Sequence, residues 1–73
     1  MSKDFHPLTA KEVIKVLERI GYSFHRQKGS HGVYYKDASI VIVPIHSGQL
    51  KPGTLRQIIK STGLSTAEFY QHI

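Results

Sequence analysis

The sequence contains no cysteine. A disulfide framework, a zinc–thiolate site and a thiol nucleophile are therefore excluded, and a reducing compartment is the natural setting. No apolar segment is long enough to span a bilayer, which argues against a membrane anchor. The first residues, among them Lys3, Asp4 and His6, form no apolar run of the kind found in signal peptides. We therefore expect a cytoplasmic protein that is not bound to a membrane.

Acidic residues are scarce as well. Five Asp and Glu residues stand against ten Lys and Arg residues, which gives a formal net charge of +5 over 73 residues. On so small a surface this charge favours an anionic partner, nucleic acid first, although a basic domain with solvated lysines has the same composition. The length predicts a single domain over residues 1–73 with a core of modest size.

Helix signals mark both ends of the chain. Thr9-Ala10-Lys11-Glu12 is a capping box, which predicts a helix start, and Gly21 is placed to end that helix. The apolar stripe between them consists of Val13, Val16, Leu17 and Ile20. Pro52 and Gly63 delimit a second amphipathic helix. A second capping box, Ser65-Thr66-Ala67-Glu68, predicts a short last helix.

Three stretches between the first two helices have the pattern of β-strands. They cover Tyr22–Lys28, His31–Lys36 and Ile40–Val43, and short turns at Gly29-Ser30 and Asp37-Ala38-Ser39 join them. These connections are too short for parallel crossovers, so the strands form an antiparallel meander. The predicted fold class is α+β, in the order α-β-β-β-α with a short C-terminal helix. We expect the helices to cover one face of the three-stranded sheet and to leave the other face open.

His31 has the most informative setting of the five histidines. It follows the tight Gly29-Ser30 turn, and strand alternation places it on the same side as Val33 and Tyr35. Imidazole titrates near neutral pH, so a histidine held there can act as a general acid or base. The alternative interpretation is an ordinary strand residue whose ring is satisfied by a backbone carbonyl.

The other histidines carry weaker signals. Strict alternation along the first predicted strand puts His25 on the face opposite Tyr22 and Phe24, where it would meet solvent. His25, His31 and His46 could converge across the hairpins, but no fixed-spacing motif supports a zinc site. We therefore expect no metal and no cofactor.

RNA cleavage is a reaction that such a chain can perform without a metal. The 2′-hydroxyl of RNA attacks the adjacent phosphorus, and the enzyme supplies a base, an acid and positive charge for the phosphorane. Histidine and lysine can provide that set. The residues that we expect to contact RNA are Lys28, Ser30, Lys36, His46, Lys51, Arg56 and Lys60. One tyrosine of the Tyr34-Tyr35 pair could stack on bases, while the other points into the core by alternation.

Three segments resemble the signature blocks of a known family. Lys28–His31, Val43–His46 and Leu50–Ile59 are similar to the conserved blocks of HicA toxins, also called the YcfA family, in the same order and spacing. The resemblance extends from the Thr9 helix to Ser65. It implies a fold like that of double-stranded RNA-binding domains, which agrees with the element order predicted above.

The resemblance also implies a function. Members of this family are mRNA interferases of type II toxin–antitoxin pairs, and a HicB antitoxin binds the toxin and covers its active site. The histidine of their Gly-Ser-His block is catalytic, which corresponds to His31 here. Many members carry a second histidine directly after it, whereas this chain has Gly32, so His46 and Lys28 are the candidates for a partner group. The alternative function is a double-stranded-RNA-binding-like module that holds RNA without cutting it.

Overall fold

The computed structural model describes residues 6–73; residues 1–5, which include Lys3 and Asp4, lie outside the described part. The elements are, in chain order, α1 (Ala10–Arg19), β1 (Ser23–Lys28), β2 (His31–Lys36), β3 (Ser39–Pro44), α2 (Pro52–Thr62) and α3 (Thr66–Tyr70). The three strands form one antiparallel sheet in the order β1-β2-β3. This layout confirms the predicted α+β fold of the double-stranded-RNA-binding-domain type. No helix within residues 6–73 is long and apolar enough to cross a membrane.

Both predicted capping boxes are present. The amide of Glu12 donates to the Thr9 hydroxyl at 3.2 Å, and the Thr9 amide donates to the Glu12 carboxylate at 2.9 Å. Ser65 and Glu68 make the same pair of bonds at the start of α3, at 3.1 and 2.8 Å. Hydrogen bonding from Ser65, chiefly from its backbone amide, stabilises the ionised carboxylate and lowers the pKa of Glu68. Local side-chain chemistry therefore sets where α1 and α3 begin.

The helices cover one face of the sheet. Strand residues on that face are buried together with the apolar faces of the three helices. The most buried side chains of this core include Val13, Leu17, Val41, Val43, Leu55 and Phe69. Tyr34 points into this core, 5% exposed, and burial raises the pKa of its hydroxyl. Tyr35, Ile40 and Ile42 lie on the opposite face, which we call the open face, and are 39 to 55% exposed. One-sided coverage of the sheet is confirmed.

Strand β1 does not alternate strictly, so the expectation of strict alternation along this strand was wrong. Phe24 pairs with Tyr34 and Arg26 pairs with Val33, so His25 is an extra residue, a β-bulge. Two constraints require it. The turn sets Lys28 opposite His31, and an unbroken register counted back from that pair would place Phe24 on the open face. The bulge returns Phe24 to the Tyr34 side, where the ring centroids are 5.6 Å apart.

The bulge determines which β1 side chains share a face with His31. Strict alternation from Phe24 would have put Arg26 and Lys28 on the helix-covered face. With the bulge, Arg26 lies opposite Val33 and Lys28 opposite His31, both on the open face. The ring of His25 stacks on Tyr35 at 4.3 Å between centroids, so its expected position away from Phe24 agrees with the structure.

Candidate active site at the end of the first hairpin

His31 is the first residue of β2, directly after a two-residue turn. Gly29 has φ +60° at the first central position of that turn, a conformation that favours glycine. In the register His31 lies between Lys28 on β1 and Pro44 on β3. The amide of Ile45 donates to the Ser30 carbonyl at 2.6 Å, which ties the turn to the chain beyond β3. Backbone on both sides therefore fixes the position of His31.

The imidazole of His31 is exposed at the surface. Within residues 6–73 no protein group forms a hydrogen bond with its ring, so the alternative of a ring satisfied by a backbone carbonyl does not apply. An exposed ring on a fixed backbone can offer both nitrogens to a ligand. This is the geometry that proton transfer to or from a bound substrate requires.

Lys28 lies directly across the hairpin from His31. Opposed residues in an antiparallel pair have their Cβ atoms about 4.5–5.5 Å apart, so the ammonium can reach the surroundings of the imidazole. Arg26 is the next β1 residue on the same face, diagonal to His31 at about 7–8 Å. The sequence pattern does not indicate that Arg26 shares a face with His31. Its position could have been predicted by requiring both the register set by the turn and the Phe24–Tyr34 aromatic contact, because the two together imply the bulge.

Ser30 and His46 lie at the same end of the sheet. Ser30 belongs to the turn, and His46 follows Ile45, the residue bonded to Ser30. Nδ1 of His46 is 2.8 Å from the Ser47 carbonyl oxygen. A carbonyl only accepts, so Nδ1 carries a proton and Nε2 is the nitrogen left for a ligand. His46 is exposed, and its ring orientation is set by its own loop.

Gly32 cannot be replaced by a second histidine that serves the same surface. Strand alternation directs position 32 toward the helix-covered face, opposite to His31. A Cβ there would lie 3.1 Å from Cδ1 of Ile45 and 3.2 Å from Cε1 of Tyr34. These contacts are tighter than ordinary van der Waals packing. Position 32 therefore does not present a side chain to the surface that carries His31.

Lys36 is not brought to this end of the sheet. It is the last residue of β2, about 16 Å along the strand from His31 at roughly 3.3 Å per residue. Its ammonium lies 5.9 Å from the centroid of the Tyr22 ring, and its stem passes close to Gly21. The structure therefore separates Lys36 from the other candidate residues of the hairpin end.

The remaining candidates are on α2. Lys51 is its N-cap residue and makes no side-chain capping bond, while Arg56 and Lys60 are exposed and one helical turn apart. The Leu50 amide donates to the Leu8 carbonyl at 2.8 Å, which anchors the loop that leads into Lys51. The three cations belong to one helix that packs beside β3 rather than to the His31 hairpin.

The charge of the chain is unevenly distributed. Between positions 19 and 67 the only acidic residue is Asp37, in the turn from β2 to β3. The same interval contains Arg19, Arg26, Lys28, Lys36, Lys51, Arg56 and Lys60. Glu12 and Glu68 lie outside it and are engaged in capping boxes. The sheet and α2 therefore carry a positive potential that attracts anions.

Residues 6–73 contain no group of three or more His, Cys, Asp or Glu side chains placed to hold a metal ion. A family model described as "HicA toxin of bacterial toxin-antitoxin" matches residues 10–64, which span α1 through α2 and the residue after its glycine cap. No curated protein matches the chain.

Proposed function

The chain belongs to the HicA toxin family, and from this membership we propose that it cleaves mRNA as the toxin of a toxin–antitoxin pair, with His31 as a general acid or base. The observation that carries the proposal is the setting of His31. The ring is exposed, the backbone is fixed by β1 and β3, and Lys28 lies directly opposite. A proton-transfer group and a cation are thus held together on a basic surface.

The proposed reaction uses the 2′-hydroxyl of the substrate as nucleophile. A base removes the proton of that hydroxyl, the 2′-oxygen forms a bond to phosphorus, and the bond from phosphorus to the 5′-oxygen breaks. An acid gives a proton to the leaving 5′-oxygen. The products are one strand with a 2′,3′-cyclic phosphate and one with a free 5′-hydroxyl. Positive charge beside the phosphorane stabilises the transition state more than the ground state.

Lys28 and Arg26 are the cations best placed for that charge. Both share the open face with His31, and Lys28 is its direct cross-strand neighbour. Ser30 offers a hydroxyl in the adjacent turn, and Lys51, Arg56 and Lys60 extend the basic surface along α2. In this proposal Lys36 contributes only long-range attraction, since it lies at the far end of β2.

The second proton-transfer group is Lys28 or His46. Lys28 lies nearer to His31, since the two residues are directly opposed in one strand pair. His46 has the more suitable chemistry near neutral pH and an available Nε2. These two assignments differ in their response to Lys28→Arg, which keeps the charge but cannot exchange a proton near neutral pH.

The family also implies an antitoxin partner. We propose a HicB-like protein that covers the His31 surface and thereby blocks access of mRNA. An mRNA substrate places this activity in the cytoplasm.

The proposal is tested by incubating the purified protein with a defined mRNA. We expect fragments ending in 2′,3′-cyclic phosphate from the wild type and intact RNA with His31→Ala. A matched RNA with 2′-O-methyl groups should remain uncut, because its nucleophile is blocked. If the wild type leaves the mRNA intact and binds it with a steep dependence on salt, the chain is a non-catalytic RNA-binding module instead.

A further inference from the structure

A groove of about 470 Å³ lies between β3 and α2. Its residues come from the outer strand and from one side of the helix, and include Ile40, Ile42, Pro44, Gly53, Gln57 and Ser61. None of the residues that line it is charged or aromatic. Its walls are therefore apolar along the strand and neutral polar along the helix.

One wall of the groove is the free edge of a sheet. β3 pairs only with β2, so its other side has no strand neighbour within residues 6–73. Lys36 and Ser39 close a two-residue turn, and the hydrogen-bonded pairs then alternate along the ladder. In this register the backbone groups of Val41 and Val43 face β2, whereas those of Ile40 and Ile42 point outward. The bond from the Ile45 amide to the Ser30 carbonyl continues the same alternation.

Such an edge, with a helix beside it, is suited to a further strand. An added segment satisfies the outward amides and carbonyls of Ile40 and Ile42, and its alternate side chains enter the groove against α2. Pro44 has no amide to donate, so the free edge ends there, beside His31 in the register. A strand bound along β3 therefore stops next to the candidate active site.

Charge decides between the occupants. A second copy of this chain has the same net charge of +5 and is repelled. RNA is bound through cations and aromatic stacking, and the groove lining offers neither. A polypeptide strand fits, because its backbone pairs with the edge of β3 and its apolar side chains lie against Ile40 and Ile42. A net negative charge on that strand complements the net charge of +5 on this chain. Lys60 lies one helical turn after Gln57, a residue of the groove.

We propose that an extended, acidic segment of the antitoxin adds to the edge of β3 and fills the groove between β3 and α2. This inference rests on the toxin–antitoxin role given above. The strand ladder supplies affinity that does not depend on the residues used for RNA. Antitoxin binding and RNA cleavage can therefore be separated by substitution.

Amide hydrogen exchange of the complex tests the docking mode. On addition of the proposed HicB-like antitoxin, exchange at Ile40 and Ile42 should slow by at least about tenfold. Val41 and Val43 are the internal reference, since their amides already bond to β2. Unchanged exchange at Ile40 and Ile42 in a formed complex overturns the proposal, and so does protection of these amides by a 2′-O-methyl RNA.

Gly53→Leu gives a second, independent test. Gly53 lines the groove, and a Cβ there meets no atom within 4 Å, so we expect a larger side chain to occupy the groove while the fold is retained. We expect antitoxin affinity to fall at least about tenfold while mRNA cleavage is unchanged. Gly53→Ala is the matched control, with the same backbone change and little added volume. Equal antitoxin affinity of the leucine and alanine variants contradicts the proposal. If the wild type does not cleave RNA at all, only the proposed catalytic role is refuted.

Discussion

The two ends of β2 are built in opposite ways. At the Lys36 end, side chains hold one another: the Tyr22 hydroxyl lies 2.6 Å from the Ser39 hydroxyl, which in turn donates to the Ser61 carbonyl at 3.3 Å. Lys36 itself lies over the Tyr22 ring. At the His31 end, backbone bonds fix the turn, the Gln27 side-chain amide donates to the Gly29 carbonyl at 3.0 Å, and the side chains of His31 and Lys28 remain exposed.

This contrast separates side chains that stabilise the fold from side chains that remain available to a ligand. Side chains that bond to each other stabilise the fold but have no capacity left for a ligand. Bonds at the His31 end, by contrast, fix the chain without engaging the side chains of His31 and Lys28. The basic end can therefore be rigid and chemically available at the same time. Substitutions at the two ends should accordingly change different measurements.

The largest effect is expected from His31→Ala. Loss of a general acid or base lowers a rate by about 10²–10⁴-fold, so cleavage of a defined mRNA should fall by at least about 100-fold in single-turnover assays. Because the side chain is exposed, the free energy of unfolding should change by less than about 0.5 kcal/mol. His31→Gln serves as a control of similar polarity and should be equally inactive. Full activity in either variant contradicts the assignment.

Gly32→His tests whether a histidine on the helix-covered face of the sheet can contribute to cleavage, or whether only groups on the open face, such as His31, can do so. The new side chain points toward Ile45 and Tyr34, where a Cβ already has contacts of 3.1 and 3.2 Å. We expect a loss of about 1–3 kcal/mol in urea unfolding and no gain in cleavage rate. Recovery of activity in a His31→Ala, Gly32→His double variant would show that position 32 reaches the same substrate.

The local features of the fold were predictable from the sequence, because each depends on a few neighbouring residues. Both capping boxes, the helix ends at Gly21 and Gly63 and the Gly29-Ser30 turn are of this kind. Turn lengths also determined the antiparallel meander. His31 was recognisable as a candidate because the turn alone fixes its position.

The features that depend on distant pairing were not predictable. The bulge at His25 arises only when the turn register and the Phe24–Tyr34 contact are imposed together, so the position of Arg26 on the open face was not predicted. Lys36 was grouped with the site because charge does not reveal which end of a strand is used. The groove beside β3 depends on where α2 packs against the sheet, which no local pattern encodes.

Lys28→Ala and Lys36→Ala are a matched pair of charge removals on opposite ends of the sheet. Removing the cation opposite His31 should lower the cleavage rate by about tenfold, the equivalent of about 1.4 kcal/mol of transition-state stabilisation. Lys36→Ala should change the rate less than about twofold and weaken RNA binding only slightly, through long-range charge. Equal effects of the two variants would show that net charge, rather than placement, controls the reaction.

Lys28→Arg then distinguishes the roles open to Lys28. Arginine retains the charge but does not exchange a proton near neutral pH. Restored activity assigns Lys28 to charge stabilisation and leaves His46 as the second proton-transfer group. Activity as low as that of Lys28→Ala assigns the proton transfer to Lys28.

The smallest effect is expected at the opposite end of β2, from Tyr22→Phe. The Ser39 hydroxyl donates to the Ser61 carbonyl, so the Tyr22 hydroxyl must be the donor to Ser39. Its removal should lower the free energy of unfolding by about 0.5–1.5 kcal/mol, because the ring is buried and its bond partner loses a donor. Ser39→Ala and the double variant complete a cycle whose coupling energy measures that bond directly. The cleavage rate should remain unchanged throughout the cycle, because we expect no group at this end of the sheet to reach the substrate. A fall in the cleavage rate parallel to the loss of stability would mean that the two ends are coupled. The His31 end would then not be fixed by its backbone alone.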